Sequence, residues 1–293
     1  MEPAGSTGSV ALIVPAAVEA GSLLVIRVRA ARPEGAEVHG EVALLCTVAY
    51  RYRELSDGGG THLATARHAE VAALRSLPAR ARGADYDVEV PLLVPYSGPP
   101  NAETSLVSVD WAVRVRLAVG DGPPAQAVEK VRVVSASGGV GSRSPGPARR
   151  AEAGHALVTI EGLAARHIQP GMCLAGTLDV RPLLPGRIRS VRLDLVLREH
   201  VLGGPAGALD ARGSPKVGET VVADVELARG LAVGEDLSAI VLPFQVLVPL
   251  NLPAPSISTA EFKLEWLLRA VVSRALHRDA TAELNLTAGT VVA

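Results

Sequence analysis

The sequence predicts an all-β protein built as two tandem antiparallel β-sandwiches joined by a Ser/Gly/Pro-rich linker. Three observations carry this. Apolar and polar residues alternate at period two in segment after segment, the pattern of half-buried strands. Gly (29) and Pro (21) are frequent, so breakers fall between these runs and leave little room for long helices. The chain also resembles itself: residues 62–95 lie over residues 216–249 without a gap, at an offset of 154. Self-similarity of that length points to a duplicated unit.

The elements follow in order. Ile26 and Val28 alternate with Arg27 and Arg29. Val42, Leu44, Cys46, Val48, Tyr50 and Tyr52 form an apolar face whose other side ends in Arg51 and Arg53. Residues 64–74 are Ala-rich, but their repeat partner, residues 221–227, reads as strand. Tyr86, Val88 and Val90 alternate with Asp87 and Glu89. Trp111, Val113, Val115 and Leu117 alternate with Ala112, Arg114 and Arg116. In the second half, Val191, Leu193, Leu195 and Leu197 repeat the pattern of residues 42–48 at an offset of 149. Residues 260–270 contain good helix formers, yet their repeat partner is the Trp111 strand, so they are expected to be strand as well. Trp111 and Trp266, the only two tryptophans, are the expected bulky anchors, each downstream of a matched proline, Pro95 or Pro249. The expected division is a first domain at 10–134, a linker at 135–154 and a second domain at 155–293.

Composition narrows the function. The length suits about two domains. With 29 Lys+Arg against 30 Asp+Glu, no basic excess marks a bulk nucleic-acid binder or a membrane binder driven by net charge. No base precedes Arg27, so the start does not read as a secretory leader. The apolar stretches at 10–18 and 239–252 are interrupted by prolines and fall short of the roughly 20 residues of a spanning helix. The expectation is a cytoplasmic protein with no membrane insertion. Cys46 and Cys173 lie in apolar segments with no C-x-x-C spacing, and are expected to be buried free thiols.

Candidate chemistry is sparse. His62 and His68 share a strand face but stand roughly 20 Å apart when extended, too far for one metal. Glu199-His200 with Asp194 reads as an exposed strand end rather than an acid–base set. The Gly138–Arg143 stretch lacks the Lys-Ser/Thr ending of a phosphate loop, and Pro145 and Pro147 forbid the helix that should follow. No G-x-S-x-G elbow occurs. Catalytic, cofactor and metal residues are therefore expected to be none. The outward arginines Arg27, Arg29, Arg51, Arg53, Arg114 and Arg116 are the candidate partner-binding basic face, suited to an acidic peptide or phosphate by bidentate bonds; the alternative is a solvated sheet face.

The run Val90-Pro-Leu-Leu-Val-Pro95, then Pro99-Pro100, then Val109-Asp-Trp111 recurs as Leu242-Pro-Phe-Gln-Val-Leu-Val-Pro249, Pro253-Ala-Pro255 and Leu264-Glu-Trp266. With Ile168-Gln-Pro170-Gly171 and the strand at 188–200, this pattern resembles the arrestin-fold family, once per domain and over nearly the whole chain. Bacterial sporulation-control arrestin-like proteins are the nearest in character. The resemblance implies immunoglobulin-like sandwich topology and a non-enzymatic cytoplasmic adaptor or scaffold that binds protein partners. The receptor-binding and phosphate-reading residues of animal arrestins have no match here. A carbohydrate-binding or structural sandwich module and a β-sandwich enzyme are the alternatives, since fold alone does not fix function.

Overall fold

The computed structural model describes residues 10–31, 36–55, 60–79, 85–120, 122–135, 150–153, 155–202 and 216–289. Among them the regular elements are all strands. The first half contains β1 (Val10–Ile13), β2 (Ala17–Glu19), β3 (Leu23–Ala30), β4 (Val38–Leu55), β5 (Thr61–Ser76), β6 (Tyr86–Leu93), β7 (Ala102–Glu103), β8 (Val107–Val119) and β9 (Ala125–Val134). The second contains β10 (Arg150–Ala153), β11 (Ala156–Glu161), β12 (His167–Ile168), β13 (Cys173–Pro182), β14 (Gly186–Val201), β15 (Lys216–Val233), β16 (Ile240–Leu247), β17 (Ile257–Ser258), β18 (Phe262–Arg274) and β19 (Ala280–Ala288).

Each half folds into two sheets. In the first they run β1-β3-β6 and β2-β9-β8-β4-β5, with β7 on β8. In the second they run β10-β11-β13-β16 and β12-β19-β18-β14-β15, with β17 on β18. Pairing is antiparallel except for β2 with β9 and β12 with β19, which are parallel. The helix-prone residues 260–270 lie in β18, and the Ala-rich residues 64–74 in β5. In β18 alternation buries Phe262, Leu264, Trp266, Leu268 and Ala270 on one face, and burial of that face outweighs helix propensity, whereas β5 is mostly exposed and is held by its pairing along β4. No helix among the described residues is long and apolar enough to cross a membrane.

The duplication holds down to single hydrogen bonds. The Trp111 indole donates to Pro99 O at 2.9 Å, and the Trp266 indole to Ala254 O at 3.1 Å. Gly21 N bonds Val94 O, and Gly171 N bonds Val248 O, both at 3.0 Å. These two glycines have φ of +83° and +76°, the left-handed turn that leads into β3 and β13 and that side chains resist. Asn101 and Ser256 each accept a backbone N–H with a side-chain oxygen, from Val133 and Ala288.

The register of the repeat needs correcting in two places. Trp111 stands opposite Cys46, and Trp266 opposite Leu197. β4 and β14 therefore correspond at an offset of 151, not 149. Pairing onto those strands likewise sets β5 against β15 at 150, because Ala73 faces Leu44 where Ala223 faces Leu195. The gap-free offset of 154 holds for β6 and β16. An alternating strand matches itself at every even shift, since a two-residue slip keeps the same face inward. Within the expected linker, residues 150–153 form β10 and pair with β11, while residues 136–149, including the Gly138–Arg143 stretch, lie outside the described residues.

Cys46 is buried as expected, and burial, helped by Glu70 and Asp110, pushes its thiol up to about 12. Cys173 is exposed, contrary to expectation. It precedes the inward Leu174 on β13, so alternation turns it to the outer face, opposite Leu247.

Candidate functional site at the domain junction

Along β14 the inward positions are Val191, Leu193, Leu195, Leu197, Glu199 and Val201. Five are apolar and one is a carboxylate. In the first domain the matching position is Val48, because Val48 faces Val109 where Glu199 faces Leu264. Glu199 is only 1% exposed. A buried carboxylate is tolerated only with its hydrogen-bond capacity filled, and here the first domain fills it. The turn between β7 and β8 supplies the Thr104 hydroxyl at 2.5 Å and the Leu106 N–H at 2.9 Å to one oxygen. It supplies the Ser105 hydroxyl at 2.8 Å to the other. Thr104 shapes that turn by accepting Val107 N–H, as Thr259 accepts Phe262 N–H in the sister turn. Leu106 rests against Gly218 of β15, where an added Cβ would meet Leu106 Cδ1 at 3.0 Å. Tyr50, at the end of β4, has its phenol pushed up by burial and by the charge of Glu261 from the second domain.

Beside this junction lies a cleft of about 370 Å³ lined by Asn101 and Arg132 of the first domain and by Pro170, Leu250, Pro253 and Gly289 of the second. Asn101 is committed to backbone, donating to Val109 O and accepting from Val133 N, so Arg132 is the charged group facing the cleft.

The six outward arginines fall in three separate places. Arg27 and Arg29 project from the outer face of the β1-β3-β6 sheet and share Asp87 of β6, Arg27 in bidentate fashion at 2.6 Å on both arms. These bonds hold the Asp87 carboxyl below its ordinary value. Arg114 and Arg116 lie on the other sheet, opposite Ala43 and Glu41. Arg51 and Arg53 lie at the far end of β4. From Ala43 to Arg51 is eight strand steps, about 27 Å at the usual rise. The sequence could place each arginine on an outward face, but not these pairs relative to one another.

The Glu199-His200-Asp194 group is not an exposed strand end. Asp194 and Glu199 are both buried and face opposite sides of β14, Asp194 beside Arg192 at 3.2 Å and His200 beside Glu265 at 3.2 Å. His62 lies 3.3 Å from Glu54, while the His68 ring packs edge-on to Tyr50. Among the described residues no group of three His, Cys, Asp or Glu is placed to hold a metal.

A second polar cluster spans four strands on the outer face of the second domain's larger sheet. Arg198 of β14 and Arg269 of β18 each contact both Glu219 of β15 and Glu283 of β19, at 2.6 to 2.8 Å. Between them the outward-facing Val196 and Leu267 are fully buried, consistent with long arginine stems covering apolar surface. Burial pushes both glutamates up, but the arginine hydrogen bonds and charges outweigh it and hold them below their ordinary value.

No family model matches the chain, and no curated protein matches it.

Proposed function

We propose that the chain is a non-enzymatic adaptor or scaffold of arrestin-like build that binds a protein partner through the outer face of its β1-β3-β6 sheet. One observation carries this reading. Leu23 stands directly opposite Leu93, and Val25 opposite Pro91, all four outward and exposed. With Ile13 on β1, Leu23, Val25 and Leu93 are each about half or more exposed, at 48 to 63%. Exposed side chains are ordinary singly, but a contiguous apolar set on one sheet face marks an interaction surface. The same face continues into Arg27, Arg29, Asp87 and Glu89, so a partner meets an apolar end and a charged end. The resemblance to arrestin-fold adaptors supports the same class of function, and the expected cytoplasmic setting fits it.

The test is affinity capture from native lysate with the full chain and with the double variant L23E/L93K. That variant keeps the net charge and places opposite charges across the strands. Proteins held by the wild type and lost from a variant of unchanged melting temperature support the surface. Equal capture by both chains overturns it. Turnover of a defined substrate by the purified chain, abolished by one polar substitution, overturns the non-enzymatic reading.

A further inference from the structure

His155 and His277 of the second domain have no part in the surface above. His155 immediately precedes β11, and His277 lies in the turn between β18 and β19. His155 is 2% exposed, and its Nε2 is buried without a hydrogen-bond partner. A buried ring nitrogen left unsatisfied disfavours folding and calls for a ligand. The ring's remaining nitrogen is accounted for: a hydrogen bond to the backbone of Val272 acts on this imidazole, so Nδ1–H donates to that carbonyl. This fixes the tautomer and leaves Nε2 as a bare lone pair. Histidines that ligate metals are oriented in this manner, with the other N–H given to a carbonyl or carboxylate.

His277 supplies the second donor. Its ring centroid is 5.4 Å from that of His155, with the planes tilted by 41°. Two imidazoles sharing a zinc ion at about 2.0–2.1 Å in tetrahedral geometry have centroids about 5 Å apart, so the observed spacing suits a shared ion. The surrounding charges are Arg274 and Asp279. Arg274 is engaged by the carbonyls of Leu184 and Pro185, and Asp279 offsets part of its charge.

We propose that His155 and His277 form a two-imidazole site for zinc(II), with water in the remaining positions. His277 is exposed on its turn, which gives the ion a way in, and no third protein ligand among the described residues closes the site. The ion would tie the start of β11 to the β18–β19 hairpin.

Zinc titration of the chelator-treated full chain by calorimetry, with imidazole NMR, tests this. The expected result is one ion per chain, resonance shifts confined to His155 and His277, and about tenfold or greater weakening in His277→Ala, whose exposed position leaves the fold intact. His155→Gln abolishes binding. Unchanged affinity in His277→Ala overturns the site. So does zinc that shifts only other histidines such as His62 and His68, or a wild type that takes up none.

Discussion

At the scale of single residues, position relative to the strand face decides chemistry. Cys46 and Cys173 both sit in apolar runs, yet one faces inward with a thiol pushed up to about 12 and the other faces out. A disulfide-forming thiol reagent should therefore label one cysteine in the native chain and two in denaturant. Rapid native labelling of both would contradict the inward placement of Cys46. Parity makes the sequence partly legible here. Glu199 continues the series 191, 193, 195, 197 and could have been read as inward. It was masked by the charged residues around it, which resemble the fraying end of a strand. Its donors were not legible at all, since Thr104, Ser105 and Leu106 lie more than ninety residues away. Cys173 shows the converse: apolar neighbours suggested burial, whereas its place beside the inward Leu174 dictates exposure.

At the scale of strands, the Arg198–Glu219–Arg269–Glu283 cluster joins β14, β15, β18 and β19 and ties stability to pH. Both glutamates titrate below their ordinary value of 4.5 in the folded chain. A carboxylate with a depressed folded pKa stabilises fully above its unfolded pKa, and that stabilisation is lost as pH falls through the folded value. The melting temperature of the second domain should thus fall as pH drops below about 4.5. In the double variant R198M/R269M that fall should be shallower, because the glutamates lose the partners that hold them ionised. Equal pH slopes for the two chains would remove the cluster from the stability balance. Strand identity was legible from alternation, including the helix-prone β18. Registration between the repeats was not: β4 and β5 fit their counterparts by sequence at several even shifts, and only cross-strand pairing selects one.

For the whole molecule, the two-sandwich division was legible because a repeat with matched tryptophans implies two equivalent cores. The contact between the halves was not, because its hydrogen bonds centre on one inward carboxylate and the repeat gave no warning: the sister position is Val48. Replacing Glu199 with Ala strands the donors of the 104–106 turn, and buried unsatisfied donors cost about 1–3 kcal/mol each. The expected outcome is a lower denaturation midpoint together with a broader distribution of maximum dimension in small-angle scattering. A scattering profile identical to that of the wild type would show that other contacts fix the halves. The parallel pairing of β2 with β9 reaches further, into synthesis. Residues 17–19 must wait for residues 132–134 before their places in the sheet exist, and β12 waits in the same way for β19. On a ribosome neither half can be finished piecemeal: each closes when its last strand emerges, so the first is complete before most of the second has been translated.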